Sequence, residues 1–162
     1  MHPCAREEGF SLIELLIVVA IILIIAAIAI PNFMRSRIAA NHASAISSLR
    51  VINSAEVTYA MQYAIGYTST LSNLGPPATG SQPGSPAADL IDDVLAGGAK
   101  GGYVFTYTPG AADGNGHYQQ YTLNADPSQV GRTGNNYYFS DQTYVIRLNL
   151  DTTASSSDSP LN

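Results

Sequence analysis

One carboxylate stands alone in a long apolar stretch. From Phe10 to Ile30 nearly every residue is apolar, and Glu14 is the only formal charge. An ionised side chain at membrane depth costs about 2.5 to 3.5 kcal/mol on insertion scales, and by default it marks a functional site with a partner. Other groups suited to chemistry are few. The histidines are His2, His42 and His117, Cys4 is the single cysteine, and no His-Glu-x-x-His, Cys-x-x-Cys or glycine-rich phosphate loop occurs. Asp113-Gly114-Asn115-Gly116-His117 begins like a calcium loop, with oxygen donors at Asp113 and Asn115, but it lacks the later ligands and the terminal glutamate. A surface turn accounts for it better, so Asp113 and Asn115 are a weak metal candidate only. The expectation is a non-enzymatic chain without a cofactor. Nucleic acid is not an expected partner either, because the net charge is -5 and no basic run follows the apolar segment.

The 21 residues from Phe10 to Ile30 would span about 30 Å as a helix, enough to cross a bilayer core. A cleaved secretory signal is one reading, with Ala27-Ile28-Ala29 as the small-residue cleavage site. It gives Glu14 no use, and Glu7 and Glu8 offset the positive charge of Arg6 ahead of the apolar run. A plain single-span anchor explains the length but leaves the acid unpaired. A third reading supplies the missing cation. If the chain is cut between Gly9 and Phe10, Phe10 gains a free α-amine, and Glu14 of one copy can meet the positive helix N-terminus of a neighbour. Both charges are then compensated only when copies stack, and the pairing sets their register.

Gly9-Phe10-Ser11-Leu12-Ile13-Glu14, followed by an uninterrupted apolar helix, resembles the prepilin cleavage motif of type IV pilins and type II secretion pseudopilins. The resemblance implies that a prepilin peptidase of the inner membrane cuts after Gly9 and that Phe10 becomes the first, N-methylated residue. It also implies that Glu14 is the registration residue, acting with Phe10, and that Pro31 is the family's helix-kinking proline. The implied partners are identical copies joined through their N-terminal helices, an inner-membrane assembly platform and a cytoplasmic assembly ATPase. The implied location is the inner membrane as a single-pass precursor, then a surface pilus or a periplasmic pseudopilus. Family leaders usually end in basic residues, and Glu7-Glu8 departs from that pattern.

Pro31 lacks an N–H and disfavours helix at the residue before it, so the helix is expected to kink there without ending. Ile38, Ala45, Leu49, Ile52, Tyr59 and Tyr63 then recur at spacings of seven, four, three, seven and four, one apolar stripe at helical period. His42 and Glu56 interrupt any heptad, which argues against a coiled coil. Gly66 is a natural stop. A loop rich in Gly, Pro and Ser follows over residues 72–86, and a short helix is expected over Asp89–Leu95, stopped by Gly97-Gly98. Tyr103, Phe105 and Tyr107 alternate with Val104, Thr106 and Thr108; Tyr121 with Leu123, Tyr137 with Phe139, and Tyr144, Ile146 and Leu148 follow as further strand faces. Ser140-Asp141-Gln142 is the expected hairpin turn.

The expected fold is therefore α+β, a pilin fold: a long helix with a small antiparallel sheet of about four strands on its C-terminal half. The segments are a leader (1–9), a membrane or filament-core helix (10–30), an amphipathic stalk (31–65), a sheet head (66–150) and a flexible Ser/Thr-rich tail (151–162). The expected function is a pilus subunit for adhesion or twitching motility, with a secretion pseudopilin as the alternative.

Overall fold

A computed structural model describes residues 10–161; residues 1–9, expected to be a leader and including Met1, His2, Cys4 and Gly9, lie outside the described residues, as does Asn162. The chain divides after Ser36 into two compact units. The first element is α1 (Leu12–Tyr63), 52 residues with Pro31 inside it. In the first unit none of its side chains is buried. The second unit holds the rest of α1, a 3-10 turn (Leu71–Leu74), the four-residue helix α2 (Asp93–Ala96) and one antiparallel sheet. The architecture is α+β and pilin-like.

The sheet has six strands paired in chain order: β1 (Ala99–Lys100), β2 (Tyr103–Pro109), β3 (Tyr121–Pro127), β4 (Tyr137–Asp141), β5 (Arg147–Asn149) and β6 (Ser159–Pro160). Two more strands are present than the four expected, because β1 and β6 are two-residue edges too short to show alternation. The central pair is long and in register, Tyr103 opposite Pro127 through Pro109 opposite Tyr121. Its inward face carries Tyr103, Phe105, Tyr121, Leu123 and Ala125, all buried, while Val104 is exposed. Ala45, Leu49, Ile52 and Tyr59 of the α1 stripe join the same core, with Tyr63 packed at its edge.

Three expectations on the head are corrected. Strand β4 has the opposite phase: Ala125 pairs with Tyr138 and Leu123 with Ser140, so Tyr138 and Ser140 face the helix and Phe139 does not. Tyr144 is not a strand residue. Its φ is +63°, and its N–H donates to the Asp141 carbonyl in a turn fixed by Asp141 Oδ1, which accepts from the Thr143 N–H and hydroxyl. Helix α2 begins at Asp93 rather than Asp89, since Asp89 holds a left-handed φ of +57° and the N–H groups of Ala88, Asp89, Leu90 and Ile91 tie this stretch to the carbonyls of residues 73–75 as an extended segment. Asp92 caps it through Leu95 N, and Gly97 ends it as expected.

The tail is the fourth correction. Residues 151–162 were expected to be flexible on composition, yet β6 pairs with β5 and Ala154 is buried. Asp158 organises the segment by accepting from Ser155 N, Ser155 Oγ and Asn149 Nδ2, while its carbonyl accepts from Arg147 Nη1. The segment crosses the outer face of the sheet, where Asn124 Nδ2 donates to the Ala154 carbonyl and Thr153 to Asp126. Asn124 is the register partner of Phe139, which accounts for Phe139 being 5% exposed on that outer face. Truncation after Leu150 is expected to cost about 2 to 4 kcal/mol of head stability. Thermal unfolding followed by circular dichroism checks this, and an unchanged midpoint would contradict the tail's packing role.

Candidate functional site

The N-terminal end of α1 holds the chemistry that the sequence singles out. Phe10 is 85% exposed and Ser11 immediately precedes the helix. Glu14 reaches back so that its Oε2 accepts from the Ser11 N–H at 2.9 Å. Ser11-x-x-Glu14 is thus the glutamate half of a capping box, in which the side chain three residues on satisfies an N–H that the helix leaves unpaired. Negative charge in this first turn is also favoured by the helix dipole, by about 0.3 to 1 kcal/mol. The carboxylate therefore sits one residue from the backbone nitrogen of Phe10. Beyond it, fourteen Leu, Ile and Val side chains from Leu12 to Ile30 are each 47 to 80% exposed. A helix this long and apolar is able to cross a membrane, and none of that window is buried within the chain.

The remaining sequence candidates fall elsewhere. Gly9 lies outside the described residues. Pro31 is within α1, where its missing N–H leaves one carbonyl of the preceding turn without a helical partner. Asp113 is occupied by its own loop, Oδ1 accepting from Asn115 N and His117 N at 2.8 and 2.9 Å. Those bonds hold its carboxyl below the usual range. No group of three or more His, Cys, Asp or Glu side chains converges among the described residues. His42 Nε2 accepts from the Asn135 N–H at 3.2 Å, which fixes a neutral imidazole, and burial lowers its pKa.

Glu56 is the residue that sequence reasoning missed. It is fully buried on the packed face of α1, and among the described residues no cation pairs with it. Its two oxygens accept from Thr68, Oε1 from the hydroxyl at 2.5 Å and Oε2 from the N–H at 3.0 Å. Tyr107 donates to the Thr68 carbonyl and stacks on Tyr121 at 5.4 Å between ring centroids. Tyr121 in turn donates to Asn53 Oδ1, and Asn53 Nδ2 donates to Ser140 Oγ. One chain of polar contacts therefore ties α1 to the segment after it and to β2, β3 and β4. Burial raises the Glu56 pKa, opposed by the Thr68 bonds, and burial with the nearby Glu56 charge pushes the Tyr107 and Tyr121 hydroxyls up. A sequence signal existed. Glu56 stands one turn after Ile52 and three residues before Tyr59, inside the apolar stripe.

A mostly exposed apolar N-terminal helix combined with an antiparallel sheet defines an α+β, pilin-like class of fold. Comparison with known proteins finds similarity in the N-terminal segment. Residues 4–30 match the model of the prokaryotic N-terminal methylation motif. The type IV major pilin protein PilA of Myxococcus xanthus (strain DK1622) is 46% identical over 54 residues, 33% of this chain and 24% of that protein. No solved structure matches. The likeness to type IV pilins therefore rests on this N-terminal segment and on the pilin-like α+β architecture.

The buried Glu56 predicts a pH-dependent stability with a defined sign. A carboxyl whose folded pKa is raised above 4.5 favours the fold fully below that value and loses the contribution as pH rises through the folded pKa. Glu56→Gln keeps an acceptor for Thr68 N and adds a donor for its hydroxyl. It is expected to raise the midpoint of thermal unfolding at pH 7, with the advantage vanishing toward pH 4. Glu56→Ala strands two buried donors and is expected to cost about 2 to 4 kcal/mol at either pH. A Gln variant less stable than wild type at pH 7 would show that the ionised form is preferred.

Proposed function

We propose that this chain is the structural subunit of a type IV pilus, polymerising through residues 10–30. The observation that carries the reading is the bare apolar helix with Glu14 at its N-terminal end. Leaving fourteen aliphatic side chains in water costs on the order of tens of kcal/mol. Lipid covers them in the precursor and neighbouring copies cover them in the fibre. In this reading a prepilin peptidase cuts between Gly9 and Phe10 and Phe10 is N-methylated. The carboxylate of Glu14 then exchanges its Ser11 bond, or shares it, with the Phe10 amine of an adjoining copy. Pro31 supplies the local loosening of α1. Extension is driven from outside the chain by an assembly platform and a cytoplasmic ATPase. The alternative is a pseudopilin of a secretion system, which uses the same N-terminal chemistry in a short periplasmic fibre.

Two substitutions at Glu14 separate the cap from the counter-charge. Glu14→Gln retains an acceptor for Ser11 N but carries no charge, whereas Glu14→Ala loses both. If compensation of the Phe10 amine drives assembly, both variants are processed and membrane-inserted yet give a tenfold or greater loss of sheared filament, since an unpaired buried charge costs about 3 to 5 kcal/mol. Wild-type yield from Glu14→Gln would overturn the ion-pair role and leave capping alone. Electron microscopy of the sheared fraction also decides between the two readings: long surface fibres containing this chain support the pilus, and their absence supports the pseudopilin.

A further inference from the structure

At the C-terminal end of α1 the chain turns back and leaves a concavity of about 130 Å³. The turn uses left-handed backbone at Ala64 and Gly66, with φ of +54° and +78°. It brings Tyr67 against Tyr118, the Tyr67 N–H donating to the Tyr118 carbonyl at 2.8 Å. A Cβ at position 66 would lie 2.2 Å from that same oxygen, so this approach requires glycine. The facing loop is held in shape by Asp113, whose Oδ1 accepts from Asn115 N and His117 N. This is the structural use of the calcium-like motif. The third side is the segment entering the 3-10 turn, where Asn73 Nδ2 donates to Ser69 Oγ and Asn73 Oδ1 accepts from Thr70. Tyr59, 3% exposed and tied to the Ser85 carbonyl, is the buried base. All four sides are thus fixed by hydrogen bonds before any ligand arrives.

We infer that this concavity binds one ring of a neutral saccharide. Two tyrosines (Tyr67 and Tyr118) supply aromatic surface whose negative π-faces attract the weakly positive C–H edge of a pyranose, while Tyr59 closes the floor. Ser69, Asn73 and His117 stand between them with hydroxyl, amide and imidazole groups, each able to donate or accept to sugar hydroxyls. An anionic ligand would find no Lys or Arg among the lining residues, and a purely apolar one would strand their polar atoms. The volume corresponds to about four waters, enough for part of one ring with the next ring in solvent. No residue of 10–36 lines the site, so it stands or falls independently of the assembly reading.

Saturation-transfer NMR on the full chain tests the site, in a zwitterionic detergent that carries no sugar head group. The probes are maltose, cellobiose and N,N′-diacetylchitobiose. The expected result is transfer from protein aromatic protons to at least one probe, with a dissociation constant on the order of 1 mM. Tyr118→Ala and His117→Ala are each expected to weaken binding fivefold or more. Should Tyr118→Ala fail to fold, His117→Ala decides alone, because the bonds that shape its loop are donated by the backbone N–H groups of Asn115 and His117, which Ala keeps. Absence of transfer to all three probes at ~20 mM, well above the expected constant, would overturn the inference. So would binding that survives in every folded variant.

Discussion

An apolar helix that its own chain leaves uncovered is the constraint on which everything else turns. The hydrophobic effect acts on area and is indifferent to what covers it. Residues 12–30 therefore demand a lipid phase or other copies of themselves. Aliphatic surface alone would fix neither depth nor stagger, because one Ile or Leu substitutes for another along the helix. Glu14 changes that. A single charge in an apolar field has one favourable position, next to a positive group, and in the proposed assembly this is what gives the surface a register.

The head solves a different problem with similar means. It has no disulfide available, and its sheet ends in two-residue edge strands. A helix sliding over an aromatic face would lose little if only Leu49, Ile52 and Tyr59 contacted it. Asn53 and Glu56, both buried, pin the helix to Tyr121, Ser140 and Thr68 through directional bonds. Buried polar groups that are fully satisfied add uniqueness more than stability. The raised pKa of Glu56 is the energetic counterpart of that choice.

What the sequence revealed follows periodicity and composition. The apolar stripe of α1, the alternation in β2 and β3 and the stop at Gly97 each rest on several residues acting together, and they reappear in the fold. Features resting on one side chain or on tertiary context were not legible. Phe139 looks like an inward residue until the tail is known to cover the outer face, where it is buried instead. The tail itself reads as mobile because Ser and Thr have low apolar content, yet Asp158 gathers Arg147, Asn149 and Ser155 into a docked segment through four hydrogen bonds. Ser11 and Glu14 carry the capping-box spacing, but a carboxylate set in an apolar run also answers to a charge on another chain, so spacing alone does not single out its local partner.

The mass of the N-terminal peptide of the purified, assembled protein tests the central claim most directly. If Glu14 meets a freed amine, that peptide begins at Phe10 and carries a methyl group on its nitrogen. A peptide that retains residues 1–9, or one that begins at Ile30, would leave Glu14 without the counter-charge and contradict the account.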